Sequence, residues 1–429
     1  MLRLRVALVA VVLAACAVIA LVVRPIASDD DKVPSIPTPP GAKNGSAVAD
    51  PYAWTPKRSA ALSARAADGT AHLLYTRSPG GVAITAERVA RFRKPVERAA
   101  KAAGVSADRL EALVFLESAG RPDAQAPGGV ASATGLTQIL AETATGLLGM
   151  KVDQAKSASY TRRLDKALRE GNLSRAAALN RARRRVDDRF DPAKALGGTA
   201  RYLKLARQRF GREDLAFVSY HMGMGNLENV LEAFGSGRRS YAELYFDSTP
   251  LRHPKAYAKL ASFGDDSSNY YWKLSAAMNI MRLARKDKDR LVRLAALQTA
   301  DDSARVALLD GAPSGGLRKL ADAPADTSLS LARPIELRPE ALGVALYAAA
   351  EVRTISKAPA LRMTGVNDGG WTFRISRKYA NDAQAQAFQY VLDRLQVLNV
   401  IAWSRSATSI SVTASRDAKA LEPLLDRAR

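Results

Sequence analysis

The stretch Ser106-Ala-Asp-Arg-Leu110-Glu-Ala-Leu113-Val114-Phe-Leu-Glu117-Ser118-Ala-Gly120-Arg-Pro122 reads as one helix with an acid at the end of its apolar face. Ser106 supplies an N-cap oxygen for a helix over Ala107 to about Ala119. Leu110, Leu113, Val114 and Glu117 are spaced i, i+3, i+4, i+7 and therefore share a face. Gly120 and Pro122 stop the helix just beyond. A carboxyl placed there is partly desolvated and lies at the negative end of the helix dipole, and both effects favour its protonated form. A general acid working at neutral pH needs that form. The plainer alternative is a rim glutamate whose carboxylate sits in water.

The neighbouring segments narrow the choice. Glu117-Ser118 is followed by a loop with Gly128 and Gly129, and then by Thr134-Gly-Leu-Thr137-Gln138-Ile. Asp191-Pro-Ala-Lys-Ala-Leu-Gly-Gly-Thr-Ala-Arg-Tyr-Leu203 and Leu215-Ala-Phe-Val-Ser-Tyr220-His221-Met-Gly-Met-Gly225 come next. This order resembles the lysozyme-like lytic transglycosylases of the soluble-transglycosylase type, over roughly residues 95 to 283. That family carries a Glu-Ser pair, a Gly-Leu-Met-Gln segment, an Asp-Pro opening a helix and an Ala-Tyr-Asn-Ala-Gly-Pro-Gly segment. Four motifs in order form a fairly specific set.

The resemblance implies a mainly α, lysozyme-like catalytic domain with Glu117 as its sole catalytic acid. It implies substrate-binding roles for Ser118, Gln138 and Tyr220, and for His221 where the family has Asn. A later tyrosine lines the family's cleft, and Tyr271, slightly ahead of Tyr270, is the expected match. Thr137 for Met and Met224 for Pro are further departures. An imidazole at residue 221 can still donate one hydrogen bond, so altered fit is expected rather than lost chemistry. Ordinary glycosidases use two carboxylates. In this family one glutamate protonates the leaving oxygen of the MurNAc–GlcNAc bond and then accepts the proton of the MurNAc 6-hydroxyl. The expected product is a 1,6-anhydromuramoyl end, with no metal and no cofactor. Asp123 and Glu142 are the nearest downstream acids, and a well-placed Glu142 would permit hydrolysis instead. Trp272 is the only one of the four tryptophans close enough in sequence to stack on a sugar; Trp54, Trp371 and Trp403 are expected in core or interface.

Working outward, the chain has 429 residues, 47% hydrophobic and 25% charged, enough for more than one packed domain and unlike a disordered or polytopic membrane protein. Sixty-four Lys and Arg against 42 Asp and Glu leave a net charge of +22, which calls for a polyanionic neighbour. Sixteen of the cations, against five acids, lie between Arg162 and Arg212. They are either a solvated helical face or a grip on anionic wall polymers. Residues 6 to 23 are apolar after Arg3 and Arg5, and Asp29 to Asp31 follow, so residues 1–27 are expected to be a signal anchor or signal peptide. Cys16, inside that run, leaves lipidation open as an alternative. Export to the cell-wall side, membrane association through this segment, peptidoglycan strands as partner and no nucleic acid follow as expectations.

Residues 28–84 are expected as a linker and extension, 85–285 as the catalytic domain, 286–333 as a linker zone and 334–429 as a small α+β domain. The last part mixes strand-like runs (Trp371 to Ser376, Val400 to Ser404, Ser409 to Thr413) with an amphipathic helix whose Ala385, Phe388, Leu392 and Leu395 share a face. It faintly resembles D-Ala-D-Ala carboxypeptidase-like zinc peptidases. Asn367, Arg374 and Ser411 stand where that family has metal ligands, and the chain's three histidines, His72, His221 and His253, all lie elsewhere. The resemblance therefore implies a non-catalytic relative.

Overall fold

A computed structural model describes residues 50–429 apart from 236, 300–303, 305–315, 325–326, 417, 419, 422–423 and 426–429. The expected anchor at 6–23, with Cys16, lies outside the described residues, as does the Pro-rich spacer to residue 49. Among the described residues no helix is long and apolar enough to cross a membrane.

An α-rich body precedes an α+β part. Its helices are α1 (Ser59–Arg77), α2 (Val82–Ala90), α3 (Arg93–Ala103), α4 (Ala107–Ser118), α5 (Gln154–Arg169), α6 (Leu173–Val186) and α7 (Pro192–Phe210). They continue with α8 (Glu213–Met222), α9 (Met224–Phe234), α10 (Tyr241–Asp247), α11 (Pro254–Ser262), α12 (Tyr270–Lys286) and α13 (Lys288–Leu297). The local signals explain the ends. Asp191 Oδ1 accepts the backbone N–H groups of Ala193 and Lys194, with Pro192 opening α7 and Gly211 in the left-handed region closing it. One core lies among α2, α3, α4, α7 and α12, where Leu110, Leu113, Val114, Leu203 and Ile280 are fully enclosed.

The C-terminal part holds β1 (Arg318–Leu320), β2 (Leu329–Leu331), β3 (Ile335–Leu337), α14 (Pro339–Ser356), β4 (Leu361–Asn367), β5 (Thr372–Ser376), α15 (Asp382–Val397), β6 (Ile401–Arg405) and β7 (Ser409–Ala414). Five strands form one sheet in the order β2-β4-β5-β7-β6, parallel at β2/β4 and antiparallel elsewhere. In β7, Ile410, Val412 and Ala414 are buried, the period-two pattern of a strand with one face on a core. Phe388, Leu392 and Leu395 of α15 meet that core as their spacing predicts. Arg374 and Ser411 are direct partners on β5 and β7, and Asn367 sits opposite Thr372.

Two segments expected as linkers carry regular structure. In the 28–84 stretch, α1 packs on both α12 and α15. At Gly69 a Cβ would overlap the carbonyl oxygen of Val397, so the two backbones touch at a place only glycine permits. In the 286–333 stretch lie α13, β1 and β2. The second core is continuous, running from Leu215, Val218 and Tyr241 of the helical body through Leu62 and Ala66 of α1 to Phe388 and Leu392 of α15. Arg394 of α15 reinforces the junction, donating to Tyr52 O at 2.7 Å and Phe246 O at 3.4 Å. A cavity of about 250 Å³, lined in part by Tyr245, Tyr257, Tyr390 and Asp393, remains between α10, α11 and α15.

Candidate active site

Helix α4 delivers Glu117 at its last turn. Ser106 Oγ accepts from Arg109 N at the start. At the other end Ala119 and Gly120 both take positive φ, 53° and 72°, which turns the chain sharply away. Arg88 Nε donates to Ala119 O, satisfying one of the terminal carbonyls. The apolar stripe of α4 is fully buried through Leu110, Leu113 and Val114, and Glu117 continues it to the edge of the core, where the residue is half-buried.

The carboxyl is surrounded by aromatic rings. Tyr270 Oη, at the first residue of α12, donates to Glu117 Oε1 at 2.7 Å. His221 stacks in parallel on Tyr270, with ring centroids 4.8 Å apart and planes 6° apart. Tyr220 donates its hydroxyl to Thr137 O at 2.7 Å, lies 3.2 Å from Thr199 Oγ1 and meets Tyr202 edge-on. Burial pushes the Glu117 carboxyl above the ordinary range, against smaller lowering effects from the charge of His221 and the Tyr270 hydrogen bond. Burial likewise raises the Tyr220 and Tyr270 phenols, helped by the charge of Glu117, so both stay protonated donors at neutral pH.

The tyrosine at Glu117 is Tyr270, not Tyr271. Successive helical residues point about 100° apart, so one of the pair faces the acid and the other faces away. Tyr271 packs edge-on against Tyr241 and Trp272, with the Arg109 guanidinium 6.0 Å from its ring. Trp272 is fully enclosed by Tyr241, Tyr245 and Phe246, which removes it as a sugar-stacking surface. Ser118 is buried and turns its hydroxyl to Val114 O of its own helix. Gln138, at φ 50°, donates through Nε2 to Ala124 O and Gly135 O, and so braces the loop between α4 and α5. Tyr220 and His221 therefore join Tyr270 at the acid, while Ser118 and Gln138 shape its surroundings.

The loop is fixed from below by a pair that the motifs do not mark. Arg189 and Asp187 are both wholly buried and joined at 2.8 Å. Arg189 also donates to the carbonyls of Val130, Ser132 and Ile139, and Asp187 accepts from Ser157. Gly135 lies directly on the Arg189 carbonyl, where a Cβ would overlap the oxygen. The other acids near the motif are committed or remote. Glu111, also on α4, is buried between Arg93 and Arg285. Asp123 holds the buried Arg183 at 2.6 Å. Glu142 is exposed at the head of the π-helical turn Thr143–Leu147. Among the described residues, the neighbours that set the Glu117 carboxyl are His221 and Tyr270, with no second carboxylate between them.

A carboxyl biased towards its protonated form and held by a phenol, beside a stacked imidazole and a second phenol, can donate a proton and be stabilised as the resulting carboxylate. No protein-family model and no curated protein matches this chain.

Proposed function

We propose that this protein is a peptidoglycan lytic transglycosylase with a lysozyme-like catalytic body, acting on the extracytoplasmic side. The observation that carries the proposal is the isolated Glu117 carboxyl, pushed towards its protonated form by burial and bonded by Tyr270 at 2.7 Å. Because Oε1 accepts the Tyr270 hydrogen, the transferable proton sits on Oε2. Glu117 gives that proton to the glycosidic oxygen as the bond from the MurNAc anomeric carbon breaks. The carboxylate left behind is stabilised by the Tyr270 hydrogen bond. It then takes the proton of the MurNAc 6-hydroxyl while that oxygen bonds to the anomeric carbon, and Glu117 returns to its starting state. One acid suffices for both steps. The motif order around Glu117, Gln138, Asp191 and Tyr220 supports the same assignment, and a net charge of +22 suits an anionic wall.

The test is digestion of purified sacculi by the protein and by Glu117→Gln, with the released ends read by mass spectrometry. Anhydromuramoyl ends that disappear in the variant are expected. Reducing ends would make the protein a hydrolytic muramidase and direct attention to Glu142. Binding without release would make it a wall-binding scaffold.

A further inference from the structure

Helices α5 and α6 form an antiparallel hairpin that packs chiefly on itself. It meets the body at the short turns Gly129–Ala131 and Asp188–Phe190. Arg183, buried there, is held by Asp123 and lies 3.7 Å over the Phe190 ring. The hairpin has its own small core, Leu164, Ala167, Ala176 and Leu179, separate from both main cores. That core accounts for the inward face and leaves the tip to be explained.

From Gln154 to Val186 there are ten Lys or Arg and two acids, Asp165 and Glu170, a balance of +8. Arg183 is used internally, but Arg162, Arg163, Lys166, Arg169, Arg175, Arg181 and Arg185 are exposed. At the turn joining the helices, Leu168 and Leu173 stand 52% and 71% exposed, and Leu173 is the most exposed large hydrophobic side chain among the described residues. Cations alone would suit any polyanion. Two leucines presented at the extremity of a basic projection gain nothing from a soluble polyphosphate, whereas both features are matched by an anionic lipid surface.

We propose that the α5–α6 hairpin docks on anionic membrane lipid, with Leu168 and Leu173 entering the headgroup boundary and the flanking cations facing lipid phosphates. The proposal is independent of the chemistry at Glu117, and a failure of either would leave the other standing.

The test places a polarity-sensitive fluorophore on Leu173→Cys in the full chain carrying Cys16→Ala, with Leu205→Cys on α7 as the control position. The protein is reconstituted into vesicles of phosphatidylcholine with or without phosphatidylglycerol. A blue shift at residue 173, confined to vesicles with phosphatidylglycerol and lost at high salt, is expected, with no shift at residue 205. Arg169→Gln and Arg175→Gln should each weaken the response about fivefold, and Leu168→Ser should reduce it further. The charge variants lie on exposed positions, and far-ultraviolet circular dichroism checks that the hairpin remains folded. No shift in any vesicle, an equal shift without anionic lipid, or a response only to soluble poly(glycerol phosphate) would overturn the proposal, the last in favour of a wall polymer.

Discussion

Tyr270 donates a 2.7 Å hydrogen bond to Glu117, joining two residues 153 positions apart in the chain. The bond is made to the charged form of the acid more strongly than to the neutral one, so its removal has two separable effects. Tyr270→Phe should lower turnover about 10- to 100-fold, the range of a hydrogen bond to a charged group. It should also raise the Glu117 pKa. A general acid is active only while protonated, so activity falls as pH rises through that pKa, and the alkaline limb should move to higher pH. A pH–rate profile on isolated glycan strands checks both effects.

Glu117→Gln should lose activity by about 10²- to 10⁴-fold, as expected for a general acid–base group, without loss of stability. The sign follows from the raised carboxyl. An acid whose folded pKa lies above its unfolded value costs nothing at low pH and costs stability as pH rises past the unfolded value. The amide removes that penalty, so the variant should melt at or above the wild-type temperature at pH 8 and close to it at pH 4.

His221 stacks on Tyr270 and its charge lowers the Glu117 pKa. His221→Asn should therefore move the alkaline limb of the pH–rate profile upward while leaving the Tyr270 bond in place. An unchanged limb with only a raised KM would assign His221 to substrate contact alone.

Arg189 and Asp187 form a buried pair that ties down the loop over residues 130–139. Arg189→Met leaves Asp187 charged and unpaired in the core, and should cost about 3–5 kcal/mol. Denaturant unfolding measures the loss.

Glu351 on α14 is largely buried, and burial together with the charge of Asp50 pushes its carboxyl up to about 7. Its penalty is absent below about pH 4.5, develops between there and pH 7 and persists above. Glu351→Gln should thus stabilise the protein by about 3 kcal/mol at pH 8 and by almost nothing at pH 4, as read by melting at the two pH values.

The helix that carries Glu117, its N-cap at Ser106, its end near Gly120 and the Asp191-Pro192 start of α7 were legible in the chain, because each depends on residues within a few positions of one another. Strands β5, β6 and β7 and the buried face of α15 were legible for the same reason, from short apolar runs and a period of 3.6, whereas β2 and β4 of the same sheet were not. Packing between helices set which of Tyr270 and Tyr271 meets Glu117, since adjacent residues on a helix start are equivalent until the helix is rotated against its neighbour. It also buried Trp272, bound Gln138 into its own loop, and turned Arg183 and Arg189 from members of a basic run into internal supports. The same holds for Gly69, whose contact with Val397 makes one continuous core of the N-terminal helix and the C-terminal layer. Local propensity fixes where an element begins and which face is apolar. Which side chains meet across elements is set by long-range packing, and that information resides in no single stretch of the chain.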